Sequence, residues 1–313
     1  MYTASLVGVT GAVAASVRAH QRTPIAARSG HPITLPYVST SSTALYYLSG
    51  DSIIQALRPD GSQGAAANLN LGPGMEAAFA VSPDDSKIAF SVLDFNQTPV
   101  HVTLYTDNLV NTSARRVIFE SSTDYVWPVA WHGGLLVLAH SVGPYEEDIA
   151  KAGPGRDNPY SAVSYHVVDP QNANRIVLMG SCTVSGALSP AGSGCIQGGS
   201  IDWQGNTAPW STNDWGSISS AAALSPDGKW MAATPPDNPK VMAIFSTNGN
   251  IWTYMDGPGV RDWAGWLDDQ TIMTGSYINS TWQPQVANVI KGGVVHPVAA
   301  HGFYAGRLPT DIV

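Results

Sequence analysis

The unit AAFAVSPDDSKIAFSV (Ala77 to Val92) constrains the fold of this chain more than any other feature. Two alternating runs flank a Ser-Pro-Asp turn, and the pattern returns as AAALSPDGKWMAAT (Ala221 to Thr234). Weaker copies are LPYVSTSSTALYYLS (Leu35 to Ser49), YVWPVAWHGGLLVLAHS (Tyr125 to Ser141), GALSPAGSGCIQGGS (Gly186 to Ser200) and DWAGWLDDQTIMTGS (Asp262 to Ser276). Apolar alternation at period two marks strands with one face buried, while Pro followed by Asp or Asp-Gly presets a tight turn. The turns recur every ~36 to 58 residues, bracketing the ~40–50 of a propeller blade. Further strand-like runs follow several pairs, among them VHVTLY and RRVIFE (100–105, 115–120), VSYHVVD and RIVLMG (163–169, 175–180), and VMAIFST and NIWTYM (241–247, 250–255). The last two are joined by Asn248-Gly249, a tight-hairpin signal. Short strands in fours, with no convincing helix, predict an all-β β-propeller of six blades, each of four antiparallel strands. The fourth unit (186–211) is short and poorly patterned, so five or seven blades also fit.

SPDDSKIAF and LSPDGKWMA resemble the SPDG-type repeat of the TolB-like, WD40-like six-bladed β-propellers. The resemblance covers most of residues 33 to 300, through two good repeats and four degenerate ones. It implies a scaffold that binds proteins or ligands, gates a peptidase or serves as an extracytoplasmic sensor. No hydrolase domain is expected beside the repeats, since the G-x-S-x-G elbow is absent.

Composition narrows the classes. Apolar residues make up 44% of the chain, enough for a sizeable core, which excludes disorder for its bulk. Charged residues reach only 12%, about half the ~25% usual in soluble proteins. A net charge of −8 argues against nucleic acid, which demands a basic footprint. The first thirty residues hold Arg18, Arg22 and Arg28 and no acid, so the remainder is more acidic still. Within them, SLVGVTGAVAASV (Ser5 to Val17) resembles the apolar region of an export signal without its preceding basic residues, and is too short to span a membrane. Residues 1–30 are therefore expected as an N-terminal tail, either frayed or the remnant of an export signal or membrane tether, with one propeller domain over 31–313. Cys182 and Cys195 share one loop-like run and suit a disulfide in an exported protein, secreted or membrane-anchored; two buried free thiols are the alternative.

In a propeller, the loops that lead into the innermost strands converge at one mouth of the central channel. GPGMEAAF (Gly72 to Phe79) and GPGVRDWAGW (Gly257 to Trp266) both place charge there, through Glu76, Arg261 and Asp262. The corresponding places in the third and fifth units offer Asp124, and Asp214 with Trp215. These six residues are the candidate ligand-binding cluster, with ordinary solvated turn residues as the competing reading. Trp203 and Trp210, in the polar run DWQGNTAPWSTNDWG, are candidates for an exposed aromatic platform, or else rings buried in a degenerate blade. Trp127, Trp131, Trp230, Trp263 and Trp266 read as packing between blades. The loop GPYEEDIAKAGPGRDNPY (143–160) reads as a solvated excursion or a lid. None of the eight histidines has metal-ligand spacing; His101, His132, His140 and His166 read as packing or surface residues. No P-loop, dinucleotide or EF-hand pattern occurs, so neither a metal nor another cofactor is expected. The favoured function is a non-enzymatic extracytoplasmic module recognising a protein or glycan. A carbohydrate-active enzyme using two carboxylates, and the sensor domain of a membrane receptor, are the alternatives.

Overall fold

The computed structural model describes residues 2–8, 13–20, 38–110, 114–142, 164–181, 188–196, 199–209, 223–233, 243–248, 252–254, 262–278, 281–290 and 295–298. Within them the chain forms sequential antiparallel meanders. The first sheet holds β3 (Val38–Thr40), β4 (Leu45–Ser49), β5 (Ile53–Leu57) and β6 (Gln63–Asn68). The second holds β7 (Met75–Val81), β8 (Lys87–Asp94), β9 (His101–Asn108) and β10 (Arg116–Ser121), and the third β11 (Asp124–His132), β12 (Leu135–Val142), β13 (Ser164–Val168) and β14 (Arg175–Ser181). A three-stranded sheet follows, from β15 (Ser193–Ile196), β16 (Gly199–Ile201) and β17 (Thr207–Pro209). The last two sheets have four strands each: β18 (Ala223–Leu224), β19 (Trp230–Ala233), β20 (Ala243–Ser246) and β21 (Trp252–Tyr254), then β22 (Asp262–Trp266), β23 (Thr271–Ile278), β24 (Thr281–Asn288) and β25 (Val295–Pro297).

The architecture is the expected all-β propeller, with one difference among the described residues. Five sheets have four strands, whereas the unit that is poorest in apolar alternation has three. Val295–Pro297 supplies the outermost strand of the last sheet, pairing with β24.

The Ser-Pro-Asp turns are built alike. Ser82 and Ser225 are buried, and each hydroxyl accepts the backbone N–H five residues on, from Lys87 and Trp230, at 2.9 Å. Each donates in turn to the following aspartate, Asp84 or Asp227, at 2.6 and 2.7 Å. The next residue takes a left-handed conformation, with φ 59° at Asp85 and 71° at Gly228. That geometry explains why the repeat reads Asp-Asp in one copy and Asp-Gly in the other. A side chain at Gly228 would also meet the Cβ of Ala191, in the preceding unit's turn, at 3.1 Å.

Sheets pack face to face along the chain because a four-stranded sheet alone leaves apolar surface in water. Tyr46, Leu48 and Ile54 of the first sheet pack with Ala77, Phe79 and Phe90 of the second. Ala80, Ala89 and Leu104 of the second pack with Val126, Leu136, Leu138 and Val168 of the third. Trp266, Ile272 and Ala287 of the last sheet join Ala232 and Ile244 of the one before it. Polar contacts cross the seams as well: Trp131 Nε1 donates to Ala80 O at 3.2 Å, and Ser91 Oγ to Val126 O at 2.6 Å.

The segment expected as a tail holds two strands, β1 (Tyr2–Val7) and β2 (Val13–Ala19), paired as a hairpin. Ala15 and Ala19 are buried against Leu45, Tyr47 and Leu57, the face of the first sheet opposite the second blade. His20 continues the contact, its N–H donating to Ser49 Oγ at 3.1 Å and its carbonyl accepting Gly50 N–H at 3.3 Å.

Candidate functional site

The innermost strands lie side by side, β7 beside β3 and β11, and β18 beside β15 and β22. Three sequence candidates stand where such strands begin: Glu76 is the second residue of β7, Asp124 the first of β11 and Asp262 the first of β22. Glu76 is buried, opposite Leu93. Asp124 is half-exposed and fixed from behind, because Ser121 Oγ accepts the N–H groups of both Thr123 and Asp124. Asp214, Trp215 and Arg261 lie outside the described residues, as does the side chain of Asp262.

Around Asp124 the structure assembles a polar cluster whose histidines read in sequence as packing or surface residues. On β11, β12 and β13 the register sets Val126 opposite His140, and His140 opposite Ser164. Side chains two residues apart share a face, so Asp124, His140, Ser164 and His166 all extend the apolar row of Leu136 and Leu138 toward the end of the sheet where β11 begins. His140 Nε2 lies 3.6 Å from Asp124 Oδ1. Ser164 Oγ lies 3.1 Å from His166 Nε2 and 3.5 Å from His140 Nδ1. The two imidazoles stack, with centroids 4.6 Å apart and planes 20° from parallel.

Electrostatics keep both rings neutral near pH 7. Burial pushes His140 below its ordinary value; the Asp124 carboxylate opposes the shift, and Arg175 adds to it. Burial, then His140 and Arg175, push His166 down to about 4. A neutral stacked pair around one hydroxyl can accept and donate hydrogen bonds without carrying charge into the seam, and either ring becomes a cation once it takes up a proton. Among the described residues no group of three or more His, Cys, Asp or Glu is placed to hold a metal ion. The sequence signal was available: His140 and His166 interrupt LLVLAHS and VSYHVV at positions where alternation calls for an apolar residue.

Of the two readings of Trp203, the structure shows the ring buried in a degenerate blade and not an exposed platform. Its ring is only 6% exposed, stacks on His132 at 4.2 Å, and donates Nε1–H to Ser189 O and Pro190 O at 3.1 Å. It seals a seam instead of facing solvent, as a large ring in a thin three-stranded unit must to cover that unit's core. Trp127, Trp131 and Trp266 are buried as expected. Trp210, Cys182 and the 143–160 loop lie outside the described residues, and so does the Cys195 side chain on β15.

No family model matches the chain, and no curated protein matches it. Solved structures do. The likeness to the acylaminoacyl peptidase of Pyrococcus horikoshii has a TM-score of 0.51 at 13% identity, over 85% of this chain and 46% of that one. The chain thus spans under half of the peptidase, and the likeness is one of fold. A TolB from Acinetobacter baumannii aligns at TM-score 0.37 and 13% identity, over 88% of this chain and 66% of that one. A protein described as TolB from Agrobacterium tumefaciens aligns at 0.38 and 12%, over 84% and 79%. The fold is a β-propeller.

Proposed function

We propose that this chain is a recognition module that holds a protein partner at the leading end of its blades. The reading rests on acidic residues that recur where innermost strands begin: the half-exposed Asp124, the buried Glu76 and, by its place in the chain, Asp262. With a net charge of −8, such an end suits a basic segment on the partner and gives salt-sensitive association. The burial of Trp203 favours a protein surface over a sugar ring. The low charge of the chain, and two cysteines in one run, support a place outside the cytoplasm.

The test uses the full chain as bait beside the triple variant Glu76→Gln, Asp124→Asn, Asp262→Asn, after circular dichroism shows both folded. The native protein should retain specific proteins that ~0.5 M salt releases, since the Debye length then falls well below ~10 Å. The triple variant should lose them. Equal retention by both baits would overturn the reading.

A further inference from the structure

The geometry points to a second capability: Ser164, His140 and Asp124 form a nucleophilic relay that transfers small acyl groups from activated esters to water. The chain of contacts is continuous, from Ser164 Oγ to His140 Nδ1 at 3.5 Å and from His140 Nε2 to Asp124 Oδ1 at 3.6 Å. With Nε2–H directed at the carboxylate, Nδ1 is left as the bare acceptor facing the hydroxyl. His166 Nε2–H then donates to Ser164 Oγ at 3.1 Å, which turns the hydroxyl proton toward His140. Distances of this length are usual before a substrate tightens the site. Nucleophile, base and orienting carboxylate stand in the order that acyl transfer requires, on three adjacent strands of one sheet.

The steps balance. Ser164 Oγ adds to the ester carbonyl carbon while its proton passes to His140 Nδ1. The tetrahedral species expels the alcohol, which leaves with that proton, and the acyl group remains on Ser164. Water then attacks the acyl-serine, giving its proton to His140; collapse releases the carboxylic acid, and the proton returns to Ser164 Oγ. Asp124 is a positioning residue that steadies the imidazolium formed in each half. Exposure falls from 48% at the Asp124 side chain to 16% at His140 and 7% at Ser164, so only a small acyl group reaches the nucleophile.

The test is turnover of p-nitrophenyl acetate by the full chain, with the acetyl adduct located by peptide mass spectrometry. The adduct is expected on Ser164, with p-nitrophenyl decanoate hydrolysed far more slowly. His140→Ala should lower the rate by ~10²-fold or more, and Ser164→Ala should reduce it to the buffer background. The rate should rise with pH through a midpoint below ~6.5, where His140 loses its proton. Asp124→Asn should move that midpoint lower still, because the carboxylate is what raises it. Mapping the adduct on the native protein needs no variant to fold. An adduct on His140, His166 or a lysine, or no adduct with only background release, would overturn the relay.

Discussion

At the residue scale, the stacked histidines make a signed prediction. His140 and His166 hold their protons less tightly in the folded chain than in the unfolded one. Below pH ~6.5 the unfolded state therefore binds more protons, and stability falls as acid is added. The fall continues until His166 protonates at about 4, and the solvent that still reaches these partly buried rings limits it to ~1–2 kcal/mol. Urea denaturation at pH 7.5 and 4.5 should show that loss, and His166→Gln should remove most of it. The aspartates held low by their turns, Asp84 and Asp227, act in a separate window below the usual carboxylate range. The repeat serines make a second prediction. Ser225→Ala leaves the Trp230 N–H without its 2.9 Å acceptor in a buried turn, at a cost of ~1–2 kcal/mol. Ser86→Ala, in the exposed part of the equivalent turn, should stay within ~0.5 kcal/mol. The turn serines were legible as punctuation in the sequence. The two histidines stand out in the sequence as breaks in apolar runs, but their meeting around Ser164 does not, because it depends on which residue of β13 faces His140 across a connection of more than twenty residues.

Among the elements, two attachments decide how the first blades hold together. Arg115 lies over the rings of Phe90 and Tyr105, at 4.9 and 5.8 Å, and donates to Leu69 O and Asn68 O of the first blade's exit at 3.1 and 3.0 Å. Its Nε is 3.6 Å from Asp107 Oδ2, whose side chain is fully buried. Arg115→Ala would strand that carboxylate and remove the bridge, a loss of ~3–5 kcal/mol measurable by denaturant unfolding. The hairpin β1–β2 is the other attachment. Deleting residues 1–20 would open Leu45, Tyr47 and Leu57 to water, and each large apolar side chain is worth ~1.5–3 kcal/mol buried. A loss of ~3 kcal/mol or more is expected, with new binding of a hydrophobic dye; a neutral deletion would show the hairpin to be dispensable. SLVGVTGAVAASV hid this role because its small residues follow no long alternation; Ala15 and Ala19 fit closely against the first blade by size rather than by hydrophobic weight.

Taken as a whole molecule, the chain is a series of sheets in which each touches chiefly its neighbours, so its stability should be a sum over seams. The sheets themselves were legible, since period-two alternation and turn chemistry act within a few residues. The pairing of faces was not, because a strand's sequence states that one side is apolar without saying which blade covers it. Trp203 shows the difference: its polar surroundings left an exposed platform and a buried ring both open, and it is the neighbouring blade that decides, by supplying His132 as its stacking partner. That seam gives the last prediction. Trp203→Ala removes a buried indole and should cost ~3–5 kcal/mol. Its partners, His132, Ser189 and Pro190, are not among those of Arg115, so the two losses should add within ~0.5 kcal/mol in the Arg115→Ala, Trp203→Ala double variant. Unfolding of that variant should remain one transition, reported alike by fluorescence and circular dichroism. A split into two transitions would mean that the early and late blades fold as separate units, and a shared ligand-binding end would then lose its structural basis.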